Sequence, residues 1–255
     1  MARNRVCIAG STGWTGSAVV AAVRAAGDLE LVAEVSRSHA GEPGIFGSVG
    51  EALDAVAADV LVDYTSAAAV KENVHAALER RVNVVVGSSG LTEQDYARID
   101  ELARERGVGV VAAGNFSLLA ALLLRSAAEV ARHVESWEIV DYASAAKPDV
   151  PSGTARELAE RLGTVRRPHV PRTVDSLHGP QEARGANVEG TQVHSVRLPS
   201  FVVSTEAVFA APGERLVLRH DAGETPEPYV AGTLLAIRSV VGREGLTRGL
   251  DALLP

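Results

Sequence analysis

The sequence predicts an α/β protein: a Rossmann-like, doubly wound parallel sheet followed by a second α+β domain built on an open, mostly antiparallel sheet. Three observations carry this reading. Over about the first hundred residues, apolar runs of strand length alternate with helical patterns, the order of a parallel sheet with crossover helices. Those runs are rich in β-branched residues and apolar without alternation, as expected of strands covered on both faces. After Asn115 the pattern changes, and the last apolar runs are separated only by short breaks, as in antiparallel strands.

The elements follow in order. Residues 6–9 read as a strand, 17–26 as a helix, and 29–35 and 60–63 as strands, with a helix over 67–80, a strand over 82–86, a helix over 93–106 and a strand over 108–112. An apolar helix over 118–131 opens the second domain; a strand over 137–140, a helix from Thr154 and a polar, irregular span over 166–190 come next. Residues 191–198, 201–209 and 215–220 read as strands. The proline-rich stretch 224–228 then breaks the sheet, because proline offers no backbone donor, and 229–241 reads as a helix returning to the first domain. The predicted boundaries are 1–115 plus 228–255 for a dinucleotide-binding domain and 116–227 for a substrate and oligomerisation domain.

A chain of 255 residues, 46% hydrophobic and 22% charged, has enough apolar surface for such cores. The single Cys7 excludes an internal disulfide and a thiolate metal cluster, which suits a reducing cytoplasm. A formal net charge of −7 with scattered Lys and Arg argues against nucleic acid and anionic membranes as partners and for small molecules. No apolar run reaches the roughly 18 residues of a spanning helix, and Met1-Ala2-Arg3-Asn4-Arg5 leads straight into a strand rather than into a signal-peptide apolar region. The seven His show no HxxxH or HExxH spacing, so no metal is expected.

Between the first strand and the first helix lies Gly10-Ser11-Thr12-Gly13-Trp14-Thr15-Gly16. Glycines there permit a tight turn and close approach of backbone to a pyrophosphate, with the helix start facing the phosphates; a plain packing turn is the alternative. The second strand ends in Val35-Ser36-Arg37-Ser38, where an NAD-selective site usually has an acid. Ser36 removes the carboxylate that would repel a 2′-phosphate and Arg37 offers a fork to bind one, which points to NADPH; an ordinary surface arginine is the alternative. Asp63-Tyr64-Thr65, Gly87-Ser88-Ser89 and Gly114-Asn115-Phe116 stand at the carboxyl ends of further strands, the rim where ligands bind in such sheets.

The richest segment is 141–155, reading DYASAAKPDVPSGTA. Lys147 is placed to bind or protonate a polar substrate. Ser152-Gly153-Thr154 opens a helix whose first amides and positive dipole end favour a carboxylate or phosphate; a merely well-capped helix is the alternative.

The succession GxxGxxG, Asp-aromatic-Thr, Gly-Ser-Ser-Gly, Asn-Phe-Ser and Lys-x-Asp-x-Pro-Ser-Gly-Thr-Ala resembles the dihydrodipicolinate reductase family of lysine biosynthesis. The resemblance covers nearly the whole chain and continues through 193–199 and Arg219-His220-Asp221. It implies a nicotinamide-binding domain completed by C-terminal residues, a separate substrate domain, a homotetramer, and hydride delivery to a cyclic, dicarboxylated unsaturated imine. Lys147 would be the catalytic residue, with Ser144, Ser152, Gly153 and Thr154 binding the substrate.

Three departures stand out. Family members carry two adjacent histidines where this chain has Ala143 and Ser144; Ala222-Gly223-Glu224-Thr225 replaces an aromatic, an acid and an arginine; and Trp14 stands where Arg or Lys is usual. Neither alanine nor serine is a general acid near neutral pH, leaving water, Tyr142 or His194 as candidate proton sources. The sequence therefore predicts a reductase of a related imino or enamine acid, with the lysine-pathway reductase and a non-catalytic NADPH sensor as alternatives.

Overall fold

Strand β1 (Asn4–Ala9) runs buried through the centre of the first sheet, and its residues 6–9 are wholly enclosed. The computed structural model describes residues 3–255; Met1 and Ala2, part of the predicted lead-in to this strand, lie outside the described residues. From β1 the chain alternates through α1 (Trp14–Ala25), β2 (Leu29–Val35), β3 (Ile45–Phe46), α2 (Val49–Ala55), β4 (Val60–Asp63), α3 (Val70–Glu79), β5 (Asn83–Val86), α4 (Glu93–Arg106) and β6 (Gly109–Ala112). All pairings are parallel. Every residue of β4 and β6 is buried, which explains their unbroken apolar runs.

The second unit, residues 119–225, contains most of α5 (Leu118–Ala131), then β7 (Ser136–Ala143), α6 (Gly153–Val165), β8 (Ala186–Val188), β9 (Thr191–Arg197), β10 (Val203–Ala211) and β11 (Glu214–Asp221). Its sheet runs β11-β10-β7-β9-β8. Only the β7–β9 pairing is parallel, and the other three are antiparallel. Along β7, Trp137, Ile139, Asp141 and Ala143 are buried while Glu138, Val140 and Tyr142 are not, the period of two that a one-sided sheet requires. The inward row packs with Leu123 and Leu124 of α5 and Leu158 and Leu162 of α6.

Helix α7 (Glu227–Val240) and strand β12 (Gly245–Arg248) belong to the first unit. They complete a seven-stranded sheet in the order β12-β6-β5-β4-β1-β2-β3. Order reverses at β1, from which the chain moves out to β2 and then back across to β4.

Several elements differ from the sequence expectation. Helix α1 starts at Trp14, because Gly13 supplies an extended N-cap (φ −74°, ψ 170°), so Trp14, Thr15 and Gly16 form its first turn. Strand β7 continues to Ala143, which puts Asp141 in the core. Elements β3, α2 and β12, of two, seven and four residues, are too short to show a hydrophobic period. The polar span 166–190 holds short 3₁₀ turns at Val174–Ser176 and Gln181–Arg184 together with β8.

Candidate active site

The rim at the carboxyl ends of the parallel strands collects the residues read as a dinucleotide cradle. Gly10 ends β1 at φ +79°, and a Cβ there would lie 2.3 Å from the carbonyl oxygen of Tyr64, so both the turn and the approach of the neighbouring loop require glycine. At Gly16 a Cβ would lie 2.0 Å from the carbonyl oxygen of Gly10. Helix α1 has neither a side-chain cap nor an acid in its first turn, whereas α2, α3, α4 and α7 each carry an acid within the first turn. A helix start of this kind favours an anion. Trp14 is half exposed on that turn, and its ring meets Tyr229 at 5.8 Å in an edge contact.

At the end of β2, the Ser36 hydroxyl sits 2.9 Å from that of Thr12, 3.2 Å from that of Ser38 and 3.3 Å from Nδ1 of His39. Arg37 is exposed beside this hydroxyl cluster. Glu34, the nearest acid on β2, is engaged by Arg24 of α1. His39 was not legible as part of this corner, since only the short 3₁₀ turn at Arg37–His39 folds it back onto Ser36.

Some residues read as cofactor contacts are placed beneath the rim. Asp63 is fully buried. Its Oδ1 accepts from the Thr65 amide at 3.0 Å, the Thr65 hydroxyl at 2.8 Å and the Ser88 hydroxyl at 2.5 Å, and its Oδ2 from Asn73 at 2.7 Å. Those donors reach both carboxylate oxygens, so Asp63 ties the β4 and β5 loops together. Ser11, Asn115 and Phe116 are buried likewise: the Ser11 amide donates to the Val35 carbonyl, Asn115 Oδ1 accepts from the Ser117 amide at 2.8 Å, and the Phe116 ring packs 5.9 Å from that of Tyr64. The Tyr64 hydroxyl is 2.7 Å from that of Thr233, which in turn donates to the Tyr229 carbonyl; burial pushes the Tyr64 phenol above its ordinary range despite this bond. Gly87, Ser89 and Gly114 remain at least partly accessible on the rim.

In the second unit, Ser144 follows β7 directly. Its carbonyl accepts from the Lys147 amide at 3.0 Å, closing a turn that turns the chain from the sheet towards α6. Lys147 is half-buried, with Nζ 2.8 Å from Asp149 Oδ1. Ser152 caps α6, its hydroxyl accepting from the Ala155 amide at 3.3 Å. Gly153 and Thr154 are then the first helical residues, and no acid occupies the first turn. A lysine and a helix start whose first turn carries no acid thus share one loop, a combination suited to holding a carboxylate.

Beneath that loop, Asp141 Oδ2 accepts from the Ser152 amide at 2.9 Å, the Ser195 hydroxyl at 3.1 Å and Arg197 Nη2 at 2.8 Å. Burial alone would raise this carboxyl, but the bonds to Ser152 and Arg197 bring it below the ordinary carboxylate range. Sequence reading missed Arg197. The available signal was an acid at an inward position of an otherwise apolar strand face, which needs a partner.

Ala143 is fully buried, paired in register with Arg197 on one side and Val203 on the other, so the absence of an imidazole there is built into the packing. Tyr142 and His194 are on the opposite sheet face from Asp141. Tyr142 stacks with Phe201 and Arg219, and His194 Nε2 lies 2.7 Å from Glu138 Oε2. Neither is directed to the α6 side, and their place as alternative proton donors is not supported by this geometry. Among the described residues, no group of His, Cys, Asp and Glu is arranged to hold a metal ion, and no helix is long and apolar enough to cross a membrane. Burial pushes the Cys7 thiol up to about 12.

Comparison with known proteins accounts for both units. The family model described as dihydrodipicolinate reductase, N-terminus, matches residues 4–116, and the one described as dihydrodipicolinate reductase, C-terminus, matches residues 118–254. A 4-hydroxy-tetrahydrodipicolinate reductase of Cutibacterium acnes is 40% identical over 98% of each chain. A dipicolinate-bound dihydrodipicolinate reductase from Paenisporosarcina sp. TG-14 superposes with a TM-score of 0.78 at 28% identity, covering 99% of this chain and 100% of that one. GenD2 from gentamicin A biosynthesis, in complex with NAD, shares the fold at a TM-score of 0.69 and 16% identity, over 99% of this chain and 90% of that one.

Proposed function

Because the chain belongs to the dihydrodipicolinate reductase family and is an NAD(P)H-dependent oxidoreductase, we propose that it reduces 4-hydroxy-tetrahydrodipicolinate with NADPH, as the names of its relatives indicate for them. The observation that carries this reading is the intact loop in which Lys147, Asp149 and the start of α6 converge. When bound, NADPH supplies the hydride. The chain supplies positioning: Lys147 and the Gly153 and Thr154 amides hold one carboxylate of the ring, and the Lys147 charge stabilises negative charge that develops during reduction. The glycine turn and the uncapped start of α1 fit a pyrophosphate. The remaining parts of the proposal, a homotetramer and a cytoplasmic setting, rest on the resemblance and on the free Cys7.

The order of the two substrate readings reverses what the sequence alone suggested. Relatives at 33–40% identity over nearly the full chain favour the lysine-pathway ring. Ala143 and Ser144 favour the second reading, a related imino or enamine acid with fewer anionic groups. A sensor without catalysis finds no support among relatives that are reductases. Turnover of enzymatically generated 4-hydroxy-tetrahydrodipicolinate, followed by nicotinamide absorbance beside a panel of cyclic imino acids, tests the choice. The expected result is that this ring is the best substrate, at a rate below that of a histidine-bearing relative, because a lost positioned acid costs about 10²–10⁴. A faster rate on another imine, with none on this ring, would select the second reading.

The preference for NADPH is expected to be at least several-fold over NADH. Ser36 and Arg37 form a corner with hydroxyl donors and an exposed guanidinium, and a charge-assisted hydrogen bond contributes about 1.5–3 kcal/mol. Calorimetric titration of Arg37→Ala should show weaker NADPH binding and little change for NADH. Equal losses, or none, would remove Arg37 from the 2′-phosphate.

A further inference from the structure

The loop between β7 and α6 is held at both ends by one guanidinium. Arg197 Nη2 donates to Asp141 Oδ2 and to the backbone carbonyl of Asp149, each at 2.8 Å. The same Asp141 oxygen accepts the Ser152 amide at 2.9 Å. Asp149 holds Lys147 through its carboxylate, and Ser152 is the cap from which α6 starts. Each end of the carboxylate-binding loop is therefore one bond from the Arg197–Asp141 pair.

We propose that Arg197 and Asp141 are positioning residues, which brace the loop so that Lys147 and the first amides of α6 converge on one carboxylate. The inference rests on the reading of that loop as the substrate site. Asp141 is wholly buried and the Arg197 side chain is 15% exposed, so the pair acts through the loop and not by touching the ring. Its geometry demands arginine. A lysine ammonium offers one donor nitrogen, whereas the planar guanidinium offers two: Nη2 reaches Asp141 Oδ2 and the Asp149 carbonyl while Nη1 donates to the Val196 carbonyl at 3.0 Å. The contact to the Asp149 carbonyl reaches beyond the β7–β9 pair, to the residue whose carboxylate holds Lys147.

The test compares wild type with Arg197→Lys, Arg197→Met and the double variant Asp141→Asn plus Arg197→Met, which removes both buried charges so that neither is left alone. Three quantities are read: the Kd of pyridine-2,6-dicarboxylate in the presence of NADPH, the Kd of NADPH, and amide hydrogen exchange over residues 148–155. The dicarboxylate Kd is expected to rise at least tenfold in Arg197→Met and in the double variant and less in Arg197→Lys, with NADPH affinity within twofold and exchange faster in all three. Unchanged exchange in a folded variant would overturn the brace. So would faster exchange with unaltered dicarboxylate affinity, or a loss shared equally by NADPH. Failure of wild type to bind the dicarboxylate would count against the substrate reading, and the exchange measurement would still decide whether Arg197 orders the loop.

Discussion

Lys147→Ala should lose about 30- to 1000-fold in kcat/KM while NADPH affinity stays within twofold. The magnitude corresponds to about 2–4 kcal/mol, the loss of a charge-assisted contact in the transition state. Local geometry pushes the effect to the upper part of that range. Lys147 Nζ is 2.8 Å from Asp149 Oδ1 and both side chains are 29% exposed, so removing the ammonium leaves a carboxylate that repels the incoming anion. Cofactor affinity should be spared because the glycine turn, the Ser36 corner and the β4 and β5 loops belong to the other unit. Separate measurement of kcat/KM and of NADPH binding checks both halves. A wild-type rate in Lys147→Ala would mean that the carboxylate is held elsewhere.

Gly16→Ala should abolish measurable NADPH binding or prevent folding, a cost of at least about 3 kcal/mol of the kind caused by overpacking. The added Cβ would stand 2.0 Å from the Gly10 carbonyl oxygen and 2.8 Å from its carbon. Both are backbone atoms, and Gly10 is itself pinned against Tyr64, so neither side yields cheaply. Gly13→Ala is the control: its Cβ would lie 3.2 Å from the same oxygen, a contact relieved by a shift of a few tenths of an ångström. Calorimetric NADPH titration with a thermal unfolding midpoint for both variants distinguishes the cases. Near-wild-type binding in Gly16→Ala would show that the turn is slack.

The departures from the family pattern look different once placed in the fold. Ala143 is enclosed between β9 and β10 on the helix-covered face, so restoring an imidazole there competes with packing. Ser144, half-buried beyond the strand end, can accept one with less disturbance. Trp14, read as a loop residue, is the first residue of α1 and leans on Tyr229.

Apart from β3, α2 and β12, the strand and helix order and the loops at strand ends were legible because hydrophobic period, β-branched runs and turn residues are local signals. Bounds such as Leu29–Val35, Val60–Asp63 and Glu93–Arg106 could be read from a few adjacent residues. The lysine loop was legible for the same reason, since cation, cap and helix start lie within one short segment. What only the tertiary structure decided is which polar side chains are buried and bonded to one another and which stay exposed on the rim. Asp63 reads as a contact at a strand end, and its carboxylate is bonded to Thr65, Asn73 and Ser88; Arg197, to which sequence reading gave no role, meets Asp141 across 56 residues of sequence. Such partners are chosen by strand register and burial. A buried charge must find its counter-charge wherever the fold brings one, and the residues nearby in sequence do not reveal which that is.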